Sequence, residues 1–169
     1  ITFCHSFVSA SPVRFYRTSL LLEQRRVIED IARLGQDCVI LRPPEIWGRS
    51  CPRLDSLLER TRAGTPIQTY ENLSVNYTTD IQIARWTAFV LAHGLRGVFH
   101  VGTVDTSDYT AFLDRLAEGL DLPRPVYHVG RNDTPAYQAV LPGRNEIPEK
   151  FQLSVGAVLS FLSEGACLS

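Results

Sequence analysis

At 169 residues the chain has the length of a single domain, and a chain of this size buries roughly 70% of its unfolded surface. Seventeen basic against eighteen acidic side chains leave a formal charge of -1, which gives no electrostatic reason to expect a nucleic acid or an anionic membrane as partner. The longest apolar runs fall far short of the ~20 residues that cross a bilayer, and Cys4, Cys38, Cys51 and Cys167 form no C-x-x-C pair and no disulfide framework, so a reducing, cytoplasmic setting is expected.

In chain order, ITFCHSFV (1–8) is predicted as a strand closed by a SASP loop. A helix is predicted from Thr18 or Ser19, with Leu20, Leu21, Val27, Ile28, Ile31 and Leu34 as its buried stripe and Gly35 as its stop. DCVILR (37–42) reads as a parallel strand covered on both faces, which completes a βαβ unit. After PPEIWG come a short helix in CPRLDSLLERTRAG and a strand in TPIQTY. TTDIQIARWTAFVLAHG is predicted as a helix with Asp80 near its start and an apolar set of Ile81, Ala84, Ala88, Val90 and Leu91. GVFHVG is the next strand, SDYTAFLDRLAEGL the next helix with Ser107 as its cap, RPVYHVG and AYQAVLPG are short strands, and SVGAVLSFL closes the chain as a helix. The alternation predicts an α/β fold: a partial Rossmann-like parallel sheet over residues 1–48 and a smaller α+β substrate-binding region over 49–169, interleaved as one unit. There is no methionine, even at position 1, so the chain reads as a piece that opens inside a longer protein.

A dinucleotide site requires glycines in the first strand-to-helix turn, because the backbone must approach the pyrophosphate closely. No such turn is present; GLRG (94–97) follows a helix and enters a strand. His5, His93, His100 and His128 lack metal-ligand spacing, so no metal is expected, and there is no G-x-S-x-G elbow. The sequons at Asn72, Asn76 and Asn132 read as chance.

CHSFVS, FYRTSLLLEQ, VILRPPEIWG, VNYTTDIQIAR and GVFHVGTVDTSDYTAFLDRLAEGL, in this order, resemble the C-terminal half of an extended short-chain dehydrogenase/reductase, of the sugar-nucleotide epimerase and dTDP-4-dehydrorhamnose reductase kind. The resemblance implies a Rossmann fold whose first half binds NAD or NADP, a smaller region holding a nucleotide-sugar, and hydride chemistry where they meet. It implies no nucleic acid or membrane partner and allows a homodimer. For the isolated 169 residues, no cofactor is expected.

In that family a tyrosine exchanges a proton with the substrate oxygen while a lysine four residues on lowers its pKa. A phenol with pKa ~10 is a poor base at neutral pH unless a cation stabilises the phenolate. Tyr16 matches the tyrosine, but Leu20 stands at the lysine position and His5, beside Ser6, at the Ser/Thr position. Lys150, remote in sequence, is the only lysine. Tyr16, His5 and Ser6 are therefore the catalytic candidates, against an ordinary packing role for Tyr16. Arg42, Pro43, Trp47, Arg49 and Tyr77 are the substrate-binding candidates, with Pro43 also near the cofactor if the missing half is supplied. Two functions follow: an NAD(P)-dependent sugar-nucleotide reductase or epimerase with a degenerate Tyr-x-x-x-Lys site, or a non-catalytic binding or regulatory protein on the same scaffold.

Overall fold

In a computed structural model of the chain, residues 2–3, 24, 26–30, 34, 38–132 and 135–164 are described. In chain order the strands are β1 (Thr2–Phe3), β2 (Val39–Arg42), β3 (Glu45–Trp47), β4 (Ile67–Tyr70), β5 (Leu73–Val75), β6 (Tyr77–Thr79), β7 (Gly97–His100), β8 (Ser107–Asp108), β9 (Tyr127–Gly130) and β10 (Ala136–Gln138). The helices with defined bounds are α1 (Pro52–Arg62), α2 (Asp80–Ala92), α3 (Tyr109–Gly119) and α4 (Val155–Ser163), with a 3-10 turn at Glu149–Phe151.

The expected parallel sheet is present in the order β1-β2-β7, with Thr2 opposite Ile40 and Arg42 opposite His100. Beside it lie three smaller ladders: β3 with β6, β4 with β9, and β10-β5-β8. Two apolar clusters divide the chain. The first packs α2 on the sheet through Val39, Leu41, Trp86, Val90, Phe99 and Val101. The second gathers Trp47, Leu57, Val75, Tyr77, Phe112 and Leu116 with the α4 face of Val158 and Leu162. The sheet cluster thus draws residues from both sides of position 48, and β3 and β6 carry the chain between the two clusters.

Three local expectations are corrected. Residues 24, 26–30 and 34 are helical, yet Val27, Ile28 and Leu34 are exposed, and the buried side chain there is Glu29, 5% exposed. Glu29 turns inward because it accepts two hydrogen bonds from Arg42, from Nε at 2.9 Å and Nη2 at 2.5 Å. The α2 helix buries Gln82, Trp86 and Val90 and exposes Ile81, Ala84, Ala88 and Leu91. That helix is apolar on every side, so stripe counting cannot orient it; the large Trp86 ring, set against Phe99, does. Thr79 caps α2, its Oγ1 accepting from Gln82 N at 3.0 Å, and Asp80 stands in the first turn as expected. Asp108, not Ser107, caps α3 by accepting from Ala111 N at 3.0 Å.

The junction between the clusters rests on Asn76, which has no exposed surface. Its Nδ2 donates to the carbonyls of Thr103 and Val140, each at 3.1 Å, and its Oδ1 accepts from Val140 N at 2.9 Å. Thr103 N donates to Tyr77 O at 2.7 Å, and Tyr77 N donates to Thr103 Oγ1 at 3.3 Å. Gly102 passes so close that a Cβ there would overlap the Asn76 amide and stand 2.9 Å from Pro44 Cγ and from Val140 O. A glycosylated Asn76 is incompatible with this burial.

Asn76→Ala should lower unfolding free energy by about 3 kcal/mol, since it strands two acceptors and a donor at the junction. Asn76→Asp should be nearly as damaging, because a carboxylate cannot donate to two carbonyls. Urea denaturation followed by circular dichroism reads both; wild-type midpoints would remove Asn76 from this role.

Candidate functional site

In open parallel sheets the ligand crevice lies beyond the carboxyl ends of the strands. Here those ends are Arg42 on β2 and His100 on β7, followed by the 43–48 and 101–106 loops. Arg42 is half-buried in its ion pair with Glu29, and Pro43 is buried beside it. The His100 Nδ1 lies 3.1 Å from Leu141 O, a contact that requires the hydrogen on Nδ1.

Within the 43–48 segment, β3 delivers one acid and one ring to the second cluster. Glu45 Oε2 meets Arg53 Nη1 of α1 at 2.6 Å, with the two side chains 13% and 26% exposed. The Tyr109 hydroxyl at the start of α3 also bonds Arg53. Burial would lower the Arg53 pKa, but Glu45 and Tyr109 outweigh it, so the guanidinium stays charged. Burial first, and then the Glu45 carboxylate, push the Tyr109 phenol up to about 12 against the opposing pull of Arg53.

Arg53 and Tyr109 border a cavity of about 350 Å³ between α1, β4 and α3. Its walls include Trp47, Leu57, Ile67 and Leu113, and its polar lining includes Arg53, Ser56 and Arg60. That volume falls within the usual span of small-ligand sites, ~300–1,000 Å³. A larger groove of about 530 Å³ is bordered by Asp114, Glu118, Asp121, Leu122 and Arg124. It is charged surface already paired: Arg124 Nη2 holds Asp114 Oδ2 at 2.9 Å, and Tyr127 donates to Asp114 Oδ1 at 2.8 Å.

The predicted binding residues fall in different places. Tyr77 is fully buried and stacks on Phe112, ring centroids 3.8 Å apart at 15°, with its oxygen accepting from Ser107 Oγ at 3.2 Å. Burial drives its phenol far upward and keeps it neutral. Trp47 tilts against the same Phe112 ring at 5.2 Å and borders the cavity. Arg49 is committed to α4: its Nε donates to Phe161 O at 2.8 Å, and its guanidinium lies 4.5 Å from the Phe161 ring centre. Tyr16, His5, Ser6 and Leu20 lie outside the described residues. Sequence reasoning missed Glu45, Arg53, Arg60 and Tyr109; the signal that could have found them is the Arg53, Ser56, Arg60 spacing, which places three polar groups on one face of α1.

No family model matches the chain, and no curated protein matches it. Solved structures do. The dTDP-4-dehydrorhamnose reductase from Yersinia enterocolitica is 13% identical with a TM-score of 0.65, over 98% of this chain and 61% of that one. The reductase from Bacillus anthracis, solved in complex with NADP, is 13% identical at 0.65, over 96% and 59%. UDP-N-acetylglucosamine 4-epimerase from Bacillus cereus is 11% identical at 0.58, over 89% and 55%. At these identities the likeness is one of fold, and that fold is the Rossmann-like one of extended short-chain dehydrogenase/reductases. The chain spans about three fifths of the length of the reductases.

Tyr109 gives a pH signature. Its pKa is ~10 unfolded and about 12 in the fold, so the folded state holds the extra proton between those values. Its contribution is therefore complete below pH 10 and is lost as pH rises toward 12. Tyr109→Phe should reduce the stability lost between pH 9 and pH 12 by about 2 kcal/mol. Urea midpoints at both pH values check this; an unchanged alkaline loss would contradict the buried phenol.

Proposed function

We propose that the chain is the substrate-holding portion of an NAD(P)-dependent enzyme acting on nucleotide-sugars, a reductase or epimerase. The observation that carries this reading is a ligand-sized cavity with aromatic, aliphatic and cationic walls. It is lined from β3, α1, β4 and α3, in a chain that shares its fold with two nucleotide-sugar reductases and an epimerase. A nucleotide-sugar presents an apolar planar base, a diphosphate and a polyhydroxylated ring, and the cavity's mixed lining supplies partners for the first two.

The chain's own residues do not fit the dinucleotide. Its pyrophosphate needs a glycine-rich strand-to-helix turn, and the 169 residues contain none. In this reading the cofactor rests on polypeptide other than these residues, and no hydride step is assigned to them. Arg42, Pro43 and Trp47 contribute by shaping the loop that follows β2, Tyr77 and Arg49 by holding the second cluster together. Tyr16, with His5 and Ser6 nearby in sequence, is the proton-transfer candidate.

One sequence feature favours a second reading, a binding or regulatory protein on the same scaffold. Leu20 replaces the cation that would stabilise a Tyr16 phenolate, and His5 replaces the hydroxyl donor.

The protein expressed from its complete reading frame should bind dTDP- and UDP-sugars by calorimetry. As a catalyst it should oxidise NADPH with a 4-keto-sugar nucleotide, and Tyr16→Phe should slow turnover by about 100-fold or more. Binding without turnover selects the second reading, and absence of nucleotide-sugar binding rejects both.

A further inference from the structure

The cavity beside α1 is electrostatically one-sided. Arg53, Ser56 and Arg60 line it from successive turns of one helix face, and no carboxylate is among its lining residues. The positive charge of Arg53 is balanced by Glu45, which sits behind the lining. Arg60 is exposed: its Nη2 donates to Pro66 O at 2.6 Å, and no described carboxylate lies within ion-pair distance of it. Apolar lining comes from Leu57 of the same helix and from Ile67 and Leu113, around Trp47. Trp47 is fully buried, and its Nε1 has no hydrogen-bond acceptor among the described residues. A buried indole N–H left without an acceptor is costly, and Trp47 borders this cavity, from which a ligand could supply one.

We propose that this face of α1 is the subsite for the diphosphate of the ligand, with Arg53 and Arg60 as its cationic contacts and Ser56 as a hydroxyl donor between them. The apolar wall then receives the nucleoside, and a ligand oxygen or ring nitrogen satisfies Trp47 Nε1. The planar guanidinium suits this task because it presents paired donors to phosphate oxygens and remains charged at any working pH. The inference rests on the nucleotide-sugar reading for the ligand's class, and it assigns the charge recognition to α1 rather than to the arginines of the PPEIWG loop.

The test compares UDP, uridine and inorganic pyrophosphate by calorimetry on the protein from its complete reading frame, with Arg60→Gln and Ser56→Glu as variants. Both positions are exposed, and melting temperatures verify that each variant folds. UDP should bind about tenfold or more tightly than uridine, and each variant should weaken UDP by about tenfold while leaving uridine unchanged. Raising salt should weaken UDP binding in the wild type more than in Arg60→Gln. UDP bound equally by wild type and both variants would overturn the α1 subsite while leaving the nucleotide-sugar reading in place. Pyrophosphate bound with full dependence on Arg60, and no gain from the nucleoside, would uphold the anion face and reject the nucleotide-sugar reading.

Discussion

One buried amide holds the two halves of this fold in register. Asn76 uses both of its polar atoms on backbone groups of residues 103 and 140, and no part of it reaches solvent. A surface loop could be anchored by bulk water at little cost, but Asn76 and Thr103 are closed off from solvent and their polar groups are paired internally. The chain enters it between β5 and β6, so the same amide fixes where β6 begins and where Thr79 can cap α2. Through Thr103, it also fixes the loop that follows β7. The 103–105 segment is tied onward: Thr103 Oγ1 donates to Asp105 O at 2.7 Å, and Asp105 Oδ1 accepts from Val155 N at 2.8 Å, at the first turn of α4.

The position of the cavity depends on that junction. Because β6 is held, its partner β3 is held, and β3 places Glu45 and Trp47 two positions apart, on the same side of the strand. Glu45 fixes Arg53 at the start of α1, while Trp47 fills the space between α1 and Phe112. Cys51 sets the angle at which α1 leaves the loop, its Sγ accepting from Leu54 N at 3.4 Å with Pro52 in the first turn. The charged lining of the cavity is thus attached to a helix whose buried side chains, Leu54 and Leu57, belong to the core. Side chains presented in this way lose little further freedom on meeting a ligand.

The strand–helix alternation was readable in the sequence wherever elements were long enough to display a period. The β2 and β7 segments are continuous apolar runs, and α3 repeats apolar residues at helical spacing through Phe112, Leu113, Leu116 and Ala117, all buried. The strands β3, β5 and β6 have three residues each, too few for a two-residue period to stand out, and their pairing is made by chain segments remote in sequence. For the same reason the candidate site was only partly legible. VILRPPEIWG pointed to the segment that follows β2, and its Trp47 borders the cavity. The partner of that loop is α1, and nothing local in PPEIWG announces that Glu45 will meet Arg53. Tyr77 looked available for stacking on a ligand, whereas the fold supplies Phe112 as its stacking partner.

The distribution of charge separates binding from proton transfer in physical terms. Holding an anion needs fixed cations at a surface, and all but one of this chain's seventeen basic side chains are arginine. Activating a phenol needs more than an adjacent cation, as Tyr109 shows. Arg53 touches its hydroxyl and pulls its pKa down, yet burial and the nearby Glu45 carboxylate win, and the phenol stays protonated far above neutral pH. A tyrosine serves as a proton carrier only where the cation is not already balanced by a carboxylate and the phenolate is not starved of solvation. Lys150, the single ammonium, lies over the Phe151 ring at 5.7 Å beside the α2 cluster. Among the described residues, cations meet the protein's own carboxylates, carbonyls and rings and so brace the fold. Any role of Tyr16 as an acid or base therefore depends on a group that compensates for Leu20, and a binding role carries no such requirement.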